Sequence, residues 1–312
     1  MTAFIVRRCA FALVTLWAVL TLVFFIVRVV PGDPAQVILG EQATADAIAA
    51  MRTRLGLDRP LGVQYVEFLW GALRGDWGTS LVTGRPVVQE VLNVLPWTIE
   101  LTLAALVIGA VVGIPLGVWA AVNRNRATDY VVRLASLLGL SFPAFVSGIL
   151  LLIFFAIQLR WAPVMSTQSG SFSAWLGALA LPAVNLGLIM AAYITRVTRS
   201  AMLEVLGEDY VRTARAKGVP WRAVVWRHAL RNALIPIITI VGLYLGVLIG
   251  NSVLTEIVFN RPGLGKLIVG ALNQRDYTLL QGMMVIYTLI VIVVNLLTDL
   301  TYGAADPRVK LK

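Results

Sequence analysis

The stretch GEDYVRTARAKGVPWRAVVWRHALRNALIP, Gly207–Pro236, decides how the rest of the chain is read. Glu208 and Asp209 stand at the favourable N-terminal end of a helical pattern that runs to Lys217, a cation at the favourable C-terminal end. Gly218, followed by Val219-Pro220, breaks that helix, and a second pattern starts at Pro220 and continues into an uncharged run. Between Arg196 and Arg231 eight basic residues stand against Glu204, Glu208 and Asp209, yet long apolar runs lie on both sides. A basic helix–glycine–helix segment so bracketed is a loop projected from a membrane by two spanning helices.

Outward from this loop the same pattern repeats. A bilayer core of about 30 Å takes about 20 helical residues to cross. Runs free of Asp, Glu, Lys and Arg at Cys9–Val27, Leu101–Val122, Leu134–Leu159, about Trp175 to Thr195, Asn232–Thr255 and Tyr277–Thr298 are long enough, which predicts six spans. The composition agrees: 59% of the 312 residues are hydrophobic and 13% charged, where a soluble globule carries about a quarter. The first run exceeds the roughly 7–15 residues of a signal-peptide core and no A-x-A site follows, so it is read as a retained helix.

The net charge of +10 would suggest nucleic acid in a soluble protein; here it sets orientation. Arg7, Arg8, Arg124, Arg126, the loop 196–232 and the tail with Arg308, Lys310 and Lys312 all fall on one side of six spans. The opposite short connections are nearly neutral. Both termini are therefore expected in the cytoplasm, with no nucleic-acid partner. One cysteine, Cys9, and one histidine, His228, exclude an internal disulfide and leave no ligand set for a metal or redox centre.

The expected organisation is a spanning helix (1–30), an external helical cap (31–96), a core of the remaining five spans (97–303) and a cytoplasmic tail (304–312). In the cap, Thr44 can start a helix that stops at Gly56, and Pro60 can occupy the first turn of another ending near Gly75. In the core, Ser141, Ser147, Asn185, Tyr193, Tyr244, Asn251, Ser252 and Tyr287 place uncharged hydrogen-bonding groups at membrane depth, as candidates for a weakly polar pathway or for helix packing. After the fifth span, Glu256, Arg261, Pro262 and Gly263 are candidates for an external gate or brace, with Pro262-Gly263 as its turn.

No phosphate-binding loop is present; Gly263-Leu264-Gly265-Lys266-Leu267 lacks the spacing and the hydroxyl. Arg28, Glu100, Glu256 and Asp299 lie near span ends, where they are expected to reach interfacial water. An ion-driven carrier usually needs a carboxylate or histidine within the membrane, so energy is expected from a partner. A channel or ion-coupled carrier without an ATPase is the alternative; for a membrane enzyme no convergent nucleophile, base or metal set can be assembled. In the basic loop, Tyr210, Arg212 and Arg215 are read as projecting, while Ala214, Ala216 and Gly218 let another surface come close.

The stretch Arg212–Arg231 resembles the EAA loop of ABC-importer permeases. Arg212, Thr213 and Ala214 fall on its start, Gly218 on its glycine and His228-Ala229-Leu230-Arg231 on its end; Arg212 replaces the usual Glu, His228 an apolar residue and Arg231 the Pro. The whole chain is similar to the first of the two permeases of dipeptide, oligopeptide and nickel importers, through Pro31-Gly32-Asp33-Pro34, Leu55–Pro60, Gly84-Arg85-Pro86-Val87, Arg261–Gly265, Gln274–Tyr277 and Asp306-Pro307-Arg308. The resemblance implies an all-α polytopic protein of the type I ABC importer permease fold in a bacterial inner membrane. It implies a heterodimer with a second homologous permease, two ATPase subunits or domains that bind ATP and Mg, and an extracytoplasmic substrate-binding protein, with no cofactor on this chain. Tyr210, Arg212, Thr213, Ala214, Arg215, Ala216, Lys217 and Gly218 would then meet the ATPase, with Gly218 as a hinge.

Overall fold

The computed structural model describes residues 2–29, 33–40, 42–164 and 171–305, which are helical apart from connections and one isolated bridge between Thr79 and Pro86. In chain order the helices are α1 (Thr2–Val29), α2 (Pro34–Leu39), α3 (Ala45–Arg54), α4 (Leu61–Arg74), α5 (Val87–Val122), α6 (Ala127–Ser141), α7 (Ala144–Leu151), α8 (Phe172–Leu206), α9 (Asp209–Ala216), α10 (Trp221–Ala223), α11 (Leu230–Val258), α12 (Leu264–Asn273) and α13 (Tyr277–Ala305). Leu152–Gln158 and Val224–Ala229 are π-helical and extend α7 and join α10 to α11. Pro31-Gly32, and the tail from Asp306, lie outside the described residues.

Among the described residues, five stretches are long and apolar enough to span: Val6–Arg28, Val87–Val122, Phe172–Leu206, Trp221–Val258 and Tyr277–Thr298. The sixth differs from expectation. Instead of one straight helix over Leu134–Leu159, α6 and α7 with its π-helical end form a pair bent by 100°. Pro143 is the cause: it disfavours helical backbone at the preceding residue, and Phe142 is extended (φ −84°, ψ 126°). Nor does the span after the basic loop begin as one regular helix, since the π-turn interrupts it.

The described residues divide into two compact units, those within 2–96 together with 266–293 and those within 97–265 together with 294–305. In the first, Phe24 is fully buried with its ring centroid 5.2 Å from that of Tyr65. The Arg28 guanidinium lies 3.6 Å from the Phe24 ring centre and donates to Gln64 Oε1 at 3.1 and 3.0 Å. Thr44 caps α3 through Ala47 N, and Gly56 closes it at φ +67°. Pro60 is the residue before the first turn of α4, one position earlier than expected, because its ψ of 138° is not helical. Asp276, 1% exposed, accepts from Ser80 Oγ (2.5 Å), Val82 N (3.3 Å) and Leu279 N (3.0 Å), so one carboxylate caps α13 and holds the 79–86 turn.

The second unit is built around α8, of whose most apolar window 61% is buried, against 22% for α1. Gly109, Gly113 and Gly117 repeat every fourth residue on one face of α5, where a Cβ would stand 2.5, 2.7 and 2.5 Å from Met190, Ala191 and Thr198 of α8. Without a water-driven hydrophobic effect between lipid-solvated helices, such close backbone approach is what gains dispersion energy. Leu101, Ala105, Leu186, Met190, Ile194 and Leu248 fill one core layer, and Met202, Val225, Ala229, Ala233 and Ile237 another.

Candidate functional site

The loop that follows α8 is closely specified. Glu208 and Asp209 begin α9, and the helix ends in a double hydrogen bond: Gly218 N donates to Arg215 O (2.9 Å) and Val219 N to Ala214 O (3.2 Å). This is the Schellman arrangement, which needs left-handed backbone at its C′ residue; Gly218 supplies it at φ +79°. The residue expected to act as a hinge thus closes a helix cap. Pro220, which cannot continue the helix, follows at once.

Local contacts hold α9. Val211 is 2% exposed, Asn232 Nδ2 donates to Tyr210 Oη at 2.7 Å, and the Arg215 guanidinium lies 5.0 Å from the Trp221 ring centre. Tyr210 therefore does not simply project; its hydroxyl is tied to α11 because Asn232 comes within reach. Arg212 is exposed and pairs with Asp209 one turn back. Thr213, Ala216, Lys217 and Gly218 are also exposed, while Ala214 is half-buried. The result is a braced helix with a small, basic outer face.

Within the second unit the candidate pathway residues make separate local contacts. Asn185, 1% exposed, accepts from Ser147 Oγ (2.7 Å) and donates to Ala144 O (2.9 Å), fixing the start of α7 against α8. Ser141 donates to Leu137 O and Ser252 to Ile249 O, each within its own helix. Tyr193 and Tyr244 stack with ring centres 4.2 Å apart, Asn251 is exposed, and Tyr287 belongs to α13 within the first unit.

After α11 the structure corrects one expectation and adds to another. Glu256 does not reach interfacial water: it is 0% exposed and accepts from Thr98 Oγ1 (2.6 Å) and Gly265 N (2.7 Å). Pro262-Gly263 does form a tight turn, with Gly263 N donating to Arg261 O at 2.9 Å, but another turn precedes it. Asn260 (φ +51°) sits at C′ of α11, with Arg261 N donating to Glu256 O at 2.7 Å and Asn260 N to Ile257 O at 3.1 Å. Gly263 serves another need, since a Cβ there would stand 2.3 Å from the Glu256 carboxyl carbon. Arg261, also fully buried, donates to Trp97 O (3.1 Å) and Glu100 Oε2 (2.9 Å). Burial pulls its guanidinium below the usual arginine value, and Glu100 and Glu256 oppose that shift. These contacts make the 259–265 segment a brace for the start of α5.

Sequence reading missed several partners: Thr98 and Trp97 in that brace, the α5 glycines, and the pair Asp129–Arg199, joined at 2.6 and 2.8 Å with Asp129 0% exposed. The four-residue glycine spacing was a readable signal; the ion pair, 70 residues apart in sequence, left none.

Residues 113–311 match the family described as binding-protein-dependent transport system inner membrane component, and residues 1–102 match the N-terminal membrane component of such systems. The chain is 41% identical, over all of both chains, to the glutathione transport system permease protein GsiC of Salmonella choleraesuis. It is 41% identical to the di/tripeptide transport system permease protein DppB of Pseudomonas aeruginosa, over 99% of each chain. A solved inward-facing MetNI methionine ABC transporter has a chain with a TM-score of 0.56 at 19% identity, covering 69% of this chain and 95% of that one. That likeness bears on the fold alone, which is the all-helical type I importer permease fold. The chain therefore belongs to the family of inner membrane components of binding-protein-dependent transport systems, and it is a permease subunit of an ABC importer in a bacterial inner membrane.

Proposed function

We propose that this permease pairs with a second, homologous permease to form an import pathway for peptides, and that α9 receives the motion of ATP-binding subunits. The observation that carries this reading is the braced α9, which presents Arg212, Thr213, Ala216, Lys217 and Gly218 on its exposed side. Small residues let a partner surface approach, and the cations supply polar contacts. The names of the relatives, one for glutathione and one for di- and tripeptides, favour peptide cargo, and glutathione is itself a peptide. An uncharged lining that bonds backbone amides would suit cargo whose side chains vary. ATP and Mg would be held by the partner ATPases, and an extracytoplasmic binding protein would choose the cargo. Lys and Arg placement supports cytoplasmic N- and C-termini.

Reconstitution of the chain with its co-purifying subunits in vesicles tests this. Peptide-loaded binding protein is expected to stimulate ATP hydrolysis and uptake, and the chain alone to be inert. Peptide flux through the chain alone would overturn the reading. Membrane-impermeant labelling of single cysteines placed at Thr213 and Asp58 in a Cys9→Ser background tests orientation, with only the second labelled from outside.

A further inference from the structure

A cleft of about 290 Å³ lies between α6 and α8, lined among others by Val132, Arg133, Leu137, Leu140, Arg196 and Arg199. Arg199 is committed to Asp129 by two hydrogen bonds. Arg133 and Arg196 are exposed and lie over the rings of Tyr130 (5.9 Å) and Tyr193 (5.6 Å), and among the described residues neither donates a hydrogen bond to an oxygen. Beside them, on the same face of α6, Leu137 is 54% exposed and Leu140 half-buried, an apolar flank on a helix of a spanning pair. We propose that this cleft binds the headgroup phosphate of an anionic phospholipid, with Arg133 and Arg196 as its ligands and the acyl chains along the α6 flank.

Depth supports this occupant. From Trp175, 36% exposed near one end of α8, to Arg196 is about 31 Å along a helix axis, the thickness of a bilayer hydrocarbon core. Tryptophan favours one interface, so Arg196 falls at the headgroup level of the other. Basic pockets between helices at that level suit lipid phosphates. A water-soluble anion would gain the charge contacts but leave the apolar flank unused.

Native mass spectrometry of the full chain in mild detergent, with phosphatidylglycerol, phosphatidylcholine or inorganic phosphate added, tests the site. One phosphatidylglycerol per chain is expected to bind in preference to phosphatidylcholine and to survive excess inorganic phosphate. The R133Q/R196Q variant should bind it about thirtyfold more weakly, about fivefold per arginine. R133K/R196K, which keeps both charges, should retain most of the preference, and R133Q alone serves if the double variant fails to fold. Equal retention of phosphatidylcholine, undiminished binding by either glutamine variant, or displacement by inorganic phosphate would overturn the proposal. So would absence of the lipid from the assembled transporter, which would make the cleft a permease–permease interface, or cross-linking of transported peptide at Arg133.

Discussion

Replacing Gly218 by valine, alanine and asparagine in parallel separates two roles for this residue. A Cβ at Gly218 has no heavy atom within 4 Å in the chain itself, so the internal cost of a substitution is conformational. At φ +79° an L residue loses about 1–2 kcal/mol, more if β-branched, whereas asparagine tolerates the left-handed region. Alanine would therefore lower the population of the closed cap relative to open forms by about 5- to 30-fold, and valine by more. Substrate-stimulated ATP hydrolysis by the reconstituted transporter is expected to fall in the order glycine, asparagine, alanine, valine, with membrane insertion unchanged. Normal uptake by Gly218→Val would refute the cap's part in coupling. Equal failure of Gly218→Asn and Gly218→Val would refute the conformational account, because bulk against a partner surface would then be decisive.

Arg199→Ala leaves Asp129 buried without two of its donors and should cost about 3–5 kcal/mol of stability, whereas Asp129→Leu with Arg199→Met should cost much less; additive losses in detergent unfolding would contradict this. Gly117→Val forces side-chain atoms into Thr198 and toward Thr195 O, 2.7 Å from the Cβ position, at about 1–3 kcal/mol. Gly62→Ala, with open space around its Cβ on α4, should be neutral or slightly stabilising in the same melts. Glu256→Gln turns an amide donor toward Thr98 or Gly265, a loss of about 1–3 kcal/mol. Hydrogen exchange should then accelerate at the Leu264 and Gly265 amides, and unchanged protection there would count against the brace.

Much of the fold was legible because its signals are local. Charge-free runs reported the spans, and the Thr44, Gly56 and Gly218 caps depend on residues within one turn. The bend at Pro143 was equally local, yet a continuous apolar run on both sides concealed it: hydropathy registers burial in lipid and not the direction of the axis. The role of Gly263 could not be read, since it depends on a carboxylate from α11 folding back beneath the loop. Asn260 was the overlooked cue there, being one of the few residues besides glycine that accepts left-handed backbone. Glu256 was misplaced for a related reason. Nearness to the end of an apolar run suggests water, but Thr98 of α5 supplies a hydroxyl and Gly265 of the next segment an amide instead.

Those two buried acids bear on how the transporter is powered. A proton-coupled carrier usually needs a carboxylate or histidine within its helices that can lose and regain a proton as the pathway turns. Asp129 accepts from both Arg199 Nε and Nη2 and from Asn125 N. Glu256 accepts from Thr98 and Gly265, beneath glycines with no space for a Cβ. Releasing either acid would break several hydrogen bonds at once and leave donors buried without partners, at about 1–3 kcal/mol for each. Both acids are therefore suited to fixing helices in place, not to cycling protons. On the proposed function motion enters elsewhere, and α9 is the proposed route. Its Schellman cap keeps it one body, Val211 seats it, and the Tyr210–Asn232 and Arg215–Trp221 contacts tie it to the segments that lead into α11. Tyr210→Phe removes one of those ties, the 2.7 Å hydrogen bond, at about 0.5–1.5 kcal/mol, while leaving the outer face of α9 intact. If α9 acts as a braced lever, this variant should still bind the ATPases but hydrolyse ATP with weaker stimulation by loaded binding protein; full stimulation would show that the brace carries no force.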